Sequence, residues 1–162
     1  MKILATILMF AIYITTGFSQ IAKMDSLFYA NYEQRIKQSR IDGVYIPKDL
    51  DDAFSELDEL SEPAGIEKFK NAPEEVVAQK LKGGLGRWML INWGFTEGSR
   101  LSHYISELGI KHQEDMSQFL IVSYHRYLNN RPLDIEGQVV IYQKKREEEY
   151  LQRVKKDTIK KE

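Results

Sequence analysis

The sequence predicts an all-α protein: a single compact multi-helix bundle that follows an export signal and ends in a charged helical tail. Three observations carry this. Apolar residues recur at i, i+3, i+4 and i+7 through most of the chain, the spacing of one buried helical face. The periodic segments open and close on capping residues, among them Asp49, Ser99, Gly109 and Asp134. The connections are short, with no internal repeat and no Gly/Ser/Pro linker, as helices packed side by side require.

The chain opens Met1-Lys2 and runs apolar from Ile3 to Ile14, interrupted only by Thr6. Gly17 and Ser19 then supply small side chains, so the pattern predicts a signal peptide cleaved before Gln20. A spanning helix needs roughly 20 apolar residues, and this run is shorter. No second such run follows, so no membrane span is expected in the mature chain. The absence of cysteine argues against a lipid anchor. The expected organisation is residues 1–19 as signal, 20–142 as one helical domain and 143–162 as the tail. The expected location is periplasmic or extracellular.

Ser26 to Arg40 reads as a first helix, broken by Asp42-Gly43. Val44-Tyr45-Ile46 is an extended lead-in, because a residue before proline avoids the helical region. Asp49 caps the next helix, with Leu50, Phe54, Leu57 and Leu60 as its apolar positions. Ser61 to Gly65 reads as a loop and Ile66 to Lys70 as a short helix. Pro73 suits a first helical position, with Glu74 and Glu75 in the electropositive first turn. That helix carries Val77, Leu81, Leu85 and Trp88 inward and ends at Asn92-Trp93-Gly94. Gly83, Gly84 and Gly86 interrupt it. Each costs a helix interior about 1 kcal/mol against alanine, so a break or kink is expected near Gly83-Gly84, with a new helix from about Leu85.

Thr96 or Ser99 caps a helix carrying Leu101, Tyr104, Ile105 and Leu108, closed by Gly109. After His112 comes a helix with Met116, Leu120, Tyr124, Tyr127 and Leu128 as its buried stripe. Asp134 caps the last helix, with Ile135, Val139 and Tyr142 inward. It continues into the charged run from Lys144, where Glu and Lys/Arg are spaced for i, i+4 pairing.

Composition narrows the function classes. There is no cysteine, which excludes disulfides, thiolate metal sites and thiol nucleophiles. The net charge of −1 gives no general drive toward nucleic acid, so none is expected as a partner. In the tail, Lys and Arg outnumber Asp and Glu, leaving the preceding domain mildly acidic.

Several segments resemble a bacterial domain family known only as uncharacterised: Ile46-Pro47-Lys48-Asp49-Leu50, Gly84-Leu85-Gly86-Arg87-Trp88, Asn92-Trp93-Gly94, Ser99-Arg100-Leu101, Asp115-Met116-Ser117 and Ser123-Tyr124-His125-Arg126-Tyr127-Leu128. The resemblance spans about residues 46–142. The family pattern has Pro and Asp after the histidine where this chain has Gln113-Glu114; both versions suit a helix first turn. The resemblance implies a helical fold and transfers no catalytic residue.

No strong chemical motif stands in the chain. Gly84-Leu85-Gly86 lacks the preceding strand and third glycine of a dinucleotide fingerprint, so no cofactor is expected. His103 and Glu107 share a helical face, and His112, Asp115 and His125 would join them only if the fold converged them. A solvated His–Glu pair is the commoner arrangement, and no metal is assigned. Trp88, Asn92, Trp93, Arg100, His125 and Arg126, with Tyr124 among them, form the candidate binding set, because Trp and Arg are enriched where proteins grip partners. The competing reading puts both tryptophans in the core and gives the arginines structural partners. Glu97, between Phe95 and Gly98, is the candidate general acid of a small cell-wall glycan hydrolase, which needs a second carboxylate such as Asp115 across a cleft. The sequence leans away from an enzyme and toward a module that binds a protein or envelope component. The hydrolase is the first alternative, and an immunity or inhibitor-type protein is the second.

Overall fold

In the computed structural model, residues 26–159 are described; the expected signal peptide, residues 1–19, lies outside them. Residues 26–35 are helical and form α1. The helix stops five residues before the expected Arg40 because the chain turns into a small antiparallel hairpin. Its strands are β1 (Arg40–Ile41) and β2 (Val44–Tyr45), paired Arg40 to Tyr45 and Ile41 to Val44. Asp42 and Gly43 both have positive φ, 49° and 85°, as a tight Asp-Gly hairpin turn demands. The expected helix breaker is thus the apex of a hairpin.

Asp49 starts α2 (Leu50–Leu60), its carboxylate accepting the Asp52 amide at 2.9 Å. Leu50, Ala53, Phe54 and Leu57 are buried, whereas Leu60 is exposed. The segment expected to loop from Ser61 to Gly65 instead begins α3 (Pro63–Asn71), with proline at the first position, where its missing N–H costs nothing. Pro73 precedes α4 (Glu74–Lys80) as its N-cap.

The expected kink is present and has a defined form. Lys82–Gly86 is a π-helical turn, in which the Gly86 amide reaches back five residues to the Leu81 carbonyl at 2.9 Å. α5 (Arg87–Asn92) follows directly. A Cβ on Gly83 or Gly84 would meet open space, whereas one on Gly86 would touch Leu81 O and Ser117 Oγ, both at 3.4 Å. Of these three glycines, only Gly86 lies in contact with other elements.

Ser99 rather than Thr96 caps α6 (Arg100–Glu107), through a reciprocal capping box with Ser102. Gly109, φ 108°, closes it. α7 (Gln113–Leu128) is the central helix and packs on α2 through α6 and on the π-turn. Met116, Phe119, Leu120, Ile121 and Tyr124 are buried along it, each large apolar side chain contributing about 1.5–3 kcal/mol. Tyr127 stays exposed in part but stacks on Phe54 at 4.8 Å. α8 (Ile135–Ile159) is one continuous helix that carries residues 143–159 of the charged tail. The Asp134 carboxylate accepts the Gly137 amide at 3.2 Å, and a Cβ on Gly137 would collide with that carboxylate. Among the described residues no helix is long and apolar enough to cross a membrane.

Candidate functional site

The hairpin, α2 and α5 enclose an open groove of about 620 Å³. Val44, Tyr45 and Trp88 give it apolar and aromatic walls; Asp52, Glu56 and Glu59 line it from α2; Arg40 and Asn92 stand on the remaining sides. Glu56 and Glu59 reach the same groove because helical residues three and four apart share a face. From Asp49 to Glu67 the chain has no Lys, Arg or His, so α2 offers these carboxylates no counter-charge of its own.

The hairpin wall is held by one carboxylate. Asp52 Oδ2 accepts the Tyr45 hydroxyl at 2.8 Å and the Lys48 amide at 2.8 Å, with Arg100 Nη2 at 3.8 Å. Arg100 Nε donates to the Ile46 carbonyl at 2.6 Å, and its guanidinium lies 5.1 Å from the Tyr45 ring centroid. Arg100, at the start of α6, therefore fastens the strand and α2 together. Glu56 and Glu59 have no hydrogen-bond or salt-bridge partner among the described residues. Burial, then the neighbouring Glu59 and Asp52 charges, push the Glu56 carboxyl above its ordinary range, opposed by Arg40. The groove thus carries negative charge beside aromatic faces.

The structure divides the candidate binding set. Trp88 and Asn92 line the groove, Trp88 half-buried and Asn92 donating to the Trp88 carbonyl at 2.9 Å. Arg100 lies behind the groove wall. Trp93 does not present a surface: it is 0% exposed, edge to face with Trp88 and tilted on Phe95, and its indole N–H has no partner among the described residues. His125 and Arg126 belong to a different region. Arg126 grips Glu74 through Nε and Nη2 at 3.0 and 2.8 Å, and Arg131 adds a second cation at 2.9 Å. His125, buried, sits 2.9 Å from the Ala72 carbonyl and 3.8 Å from Glu74. These contacts tie α7 to the start of α4.

The carboxylates of the hydrolase alternative are not brought together. Glu97 is exposed and 3.6 Å from Arg35. Asp115 is buried, its two oxygens held by Lys145 at 2.8 Å and Arg146 at 2.5 Å. The two acids border different cavities: Glu97 lines one of about 380 Å³ beneath α1, Asp115 one of about 210 Å³ against α8. His103 is likewise engaged, its Nδ1 3.0 Å from the Tyr32 hydroxyl. Among the described residues no three His, Asp or Glu side chains are grouped to hold a metal.

Tyr45, Glu56 and Glu59 were not singled out by motif reasoning. The signal that could have found Glu56 and Glu59 is the one-sided charge of the Asp49–Glu67 stretch; Tyr45 carries none. No curated protein and no solved structure matches the chain. A family model described as Domain of unknown function (DUF6794) matches residues 46–128, the span from the hairpin's end through α7 that builds two of the groove's walls, and the chain belongs to that family.

Proposed function

We propose that this protein is an exported, non-enzymatic binding module, and that its groove takes a cationic segment of a protein or other envelope component. The observation that carries the reading is the placement of Glu56 and Glu59, without ion-pair partners among the described residues, beside the Trp88 and Tyr45 rings. Aromatic faces attract ammonium and guanidinium groups, and nearby carboxylates add to the attraction. A Lys or Arg side chain laid along Trp88 would meet both. Export, to the periplasm or beyond, is supported by the Lys2, Ile3–Ile14 and Ser19 pattern. An immunity or inhibitor role would be one form of such binding.

The test is capture from an envelope extract by the purified protein and by Trp88→Ala and Glu56→Lys/Glu59→Lys variants, each checked for an unchanged circular dichroism spectrum. The partner should be lost from both variants and be displaced from the parent by a lysine-rich peptide. Equal capture by all three proteins would remove the groove from consideration.

A further inference from the structure

α8 is anchored for only part of its length. Val139 and Tyr142 pack on the core, Gln138 donates to Ser123 Oγ at 3.1 Å, and Lys145 and Arg146 close on Asp115. From Tyr150 to Thr158 every residue is exposed. A helical stretch this short is marginal in water without packing. The face turned away from the body nevertheless carries apolar side chains. Val140, Leu151 and Val154 are 47%, 58% and 45% exposed. Steps of eleven and then three residues are close to whole turns, so the three share one stripe.

We propose that this outward face of α8 pairs antiparallel with the same face of a second copy of this chain. The charge pattern selects both the partner and the direction. Glu148 and Lys155 are seven residues apart, so they lie on the same edge of the stripe. They are spaced equally about the Leu151–Gln152 bond, and neither makes an ion pair among the described residues. An antiparallel copy centred there sets Glu148 against Lys155 of the second copy, and Lys155 against Glu148, with Leu151 and Val154 between the helices. A twofold axis makes both contacts at once, as a closed two-copy interface requires. Parallel pairing would place the Glu148 and Lys155 edges of the two copies on opposite sides of the seam, so neither contact would form.

Light scattering and sedimentation of the purified protein across a concentration series test this. The parent should move from the mass of one chain to twice that mass, with the midpoint rising to higher protein concentration in high salt. Leu151→Asp and Glu148→Lys should each remain at the mass of one chain, with circular dichroism unchanged. The double variant Glu148→Lys/Lys155→Glu reverses both contacts and should regain the doubled mass. A parent that stays at one chain throughout, a Leu151→Asp protein that still doubles, or a double variant no better than Glu148→Lys would each overturn the pairing.

Discussion

Trp88 and Trp93 meet edge to face with ring centroids 5.4 Å apart, yet one borders the groove and the other is wholly enclosed. Edge contact lets the buried ring support the exposed one. Substituting them should therefore have opposite profiles. Trp93→Ala should lower unfolding stability by about 3–5 kcal/mol, the usual cost of emptying an aromatic site. Trp88→Ala should cost less than half of that and should weaken partner binding. Denaturant midpoints and binding isotherms on the two variants separate the roles.

The groove charge predicts a pH dependence. The Glu56 carboxyl is raised above its ordinary range, first by burial and then by Glu59 and Asp52. On acidification it gains its proton earlier than a free glutamate, whose value is about 4.3. Affinity for a cationic segment should therefore begin to fall while ordinary carboxylates are still charged. Titrating binding from neutral to acid pH should show that early loss in the parent, and Glu56→Gln should remove it.

Stability should fall at lower pH for a different reason. Hydrogen bonds from Arg126, then the charges of Arg126, Arg131 and His125, hold the Glu74 carboxyl low against burial. At Asp115 burial pushes upward, but hydrogen bonds from Arg146 and Lys145 outweigh it and the net shift is downward. Both groups bind protons less readily folded than unfolded. Their contribution is present above the unfolded values, about 4, and is lost as pH falls through the lower folded values. Asp115→Asn should cost about 1–3 kcal/mol near neutral pH, because the half-exposed Lys145 and Arg146 lose the charge of their buried partner. Thermal melts of parent and variant against pH should converge in acid.

Gly98 has φ +91° and a Cβ there would overlap the Tyr32 ring. The same region holds α1 through the bond from Arg35 Nε to the Gly98 carbonyl at 2.9 Å. Gly98→Ala should cost about 1–3 kcal/mol through backbone strain alone, and should free α1 for proteolysis before the rest of the chain unfolds. Uniform protection of α1 in a limited digest would count against that docking role.

The glycines of the π-turn should divide. Gly83→Ala and Gly84→Ala meet open space and should be neutral or stabilising by up to about 1 kcal/mol. Gly86→Ala meets Leu81 O and Ser117 Oγ at contact distance and should gain less than the other two. Thermal midpoints of the three single variants suffice.

Much of the fold was legible because caps are local. Asp49, Ser99, Gly109 and Asp134 act within one turn, and the stripes between them have helical period. The hairpin was not legible, because two residues per strand leave no alternation to detect and Asp42-Gly43 also reads as a helix stop. Pro63 misled in the same way: proline followed by glycine suggests a loop, whereas proline also suits the first helical position. The site was harder. Trp88 and Trp93 differ only in which way α5 faces, and that direction is set by the π-turn and by packing on α7. Arg126 and His125 looked like a recognition pair because their partner, Glu74, is 52 residues away from Arg126 along the chain.

A π-helical turn accommodates one residue beyond what a regular α-helix would use over the same rise. That residue turns everything after it by about 100° relative to α4. The groove therefore depends on a count of residues as well as on their identity. Deleting Gly84 alone would leave every groove side chain in the sequence, and would swing Trp88 and Asn92 away from Tyr45 and Glu56.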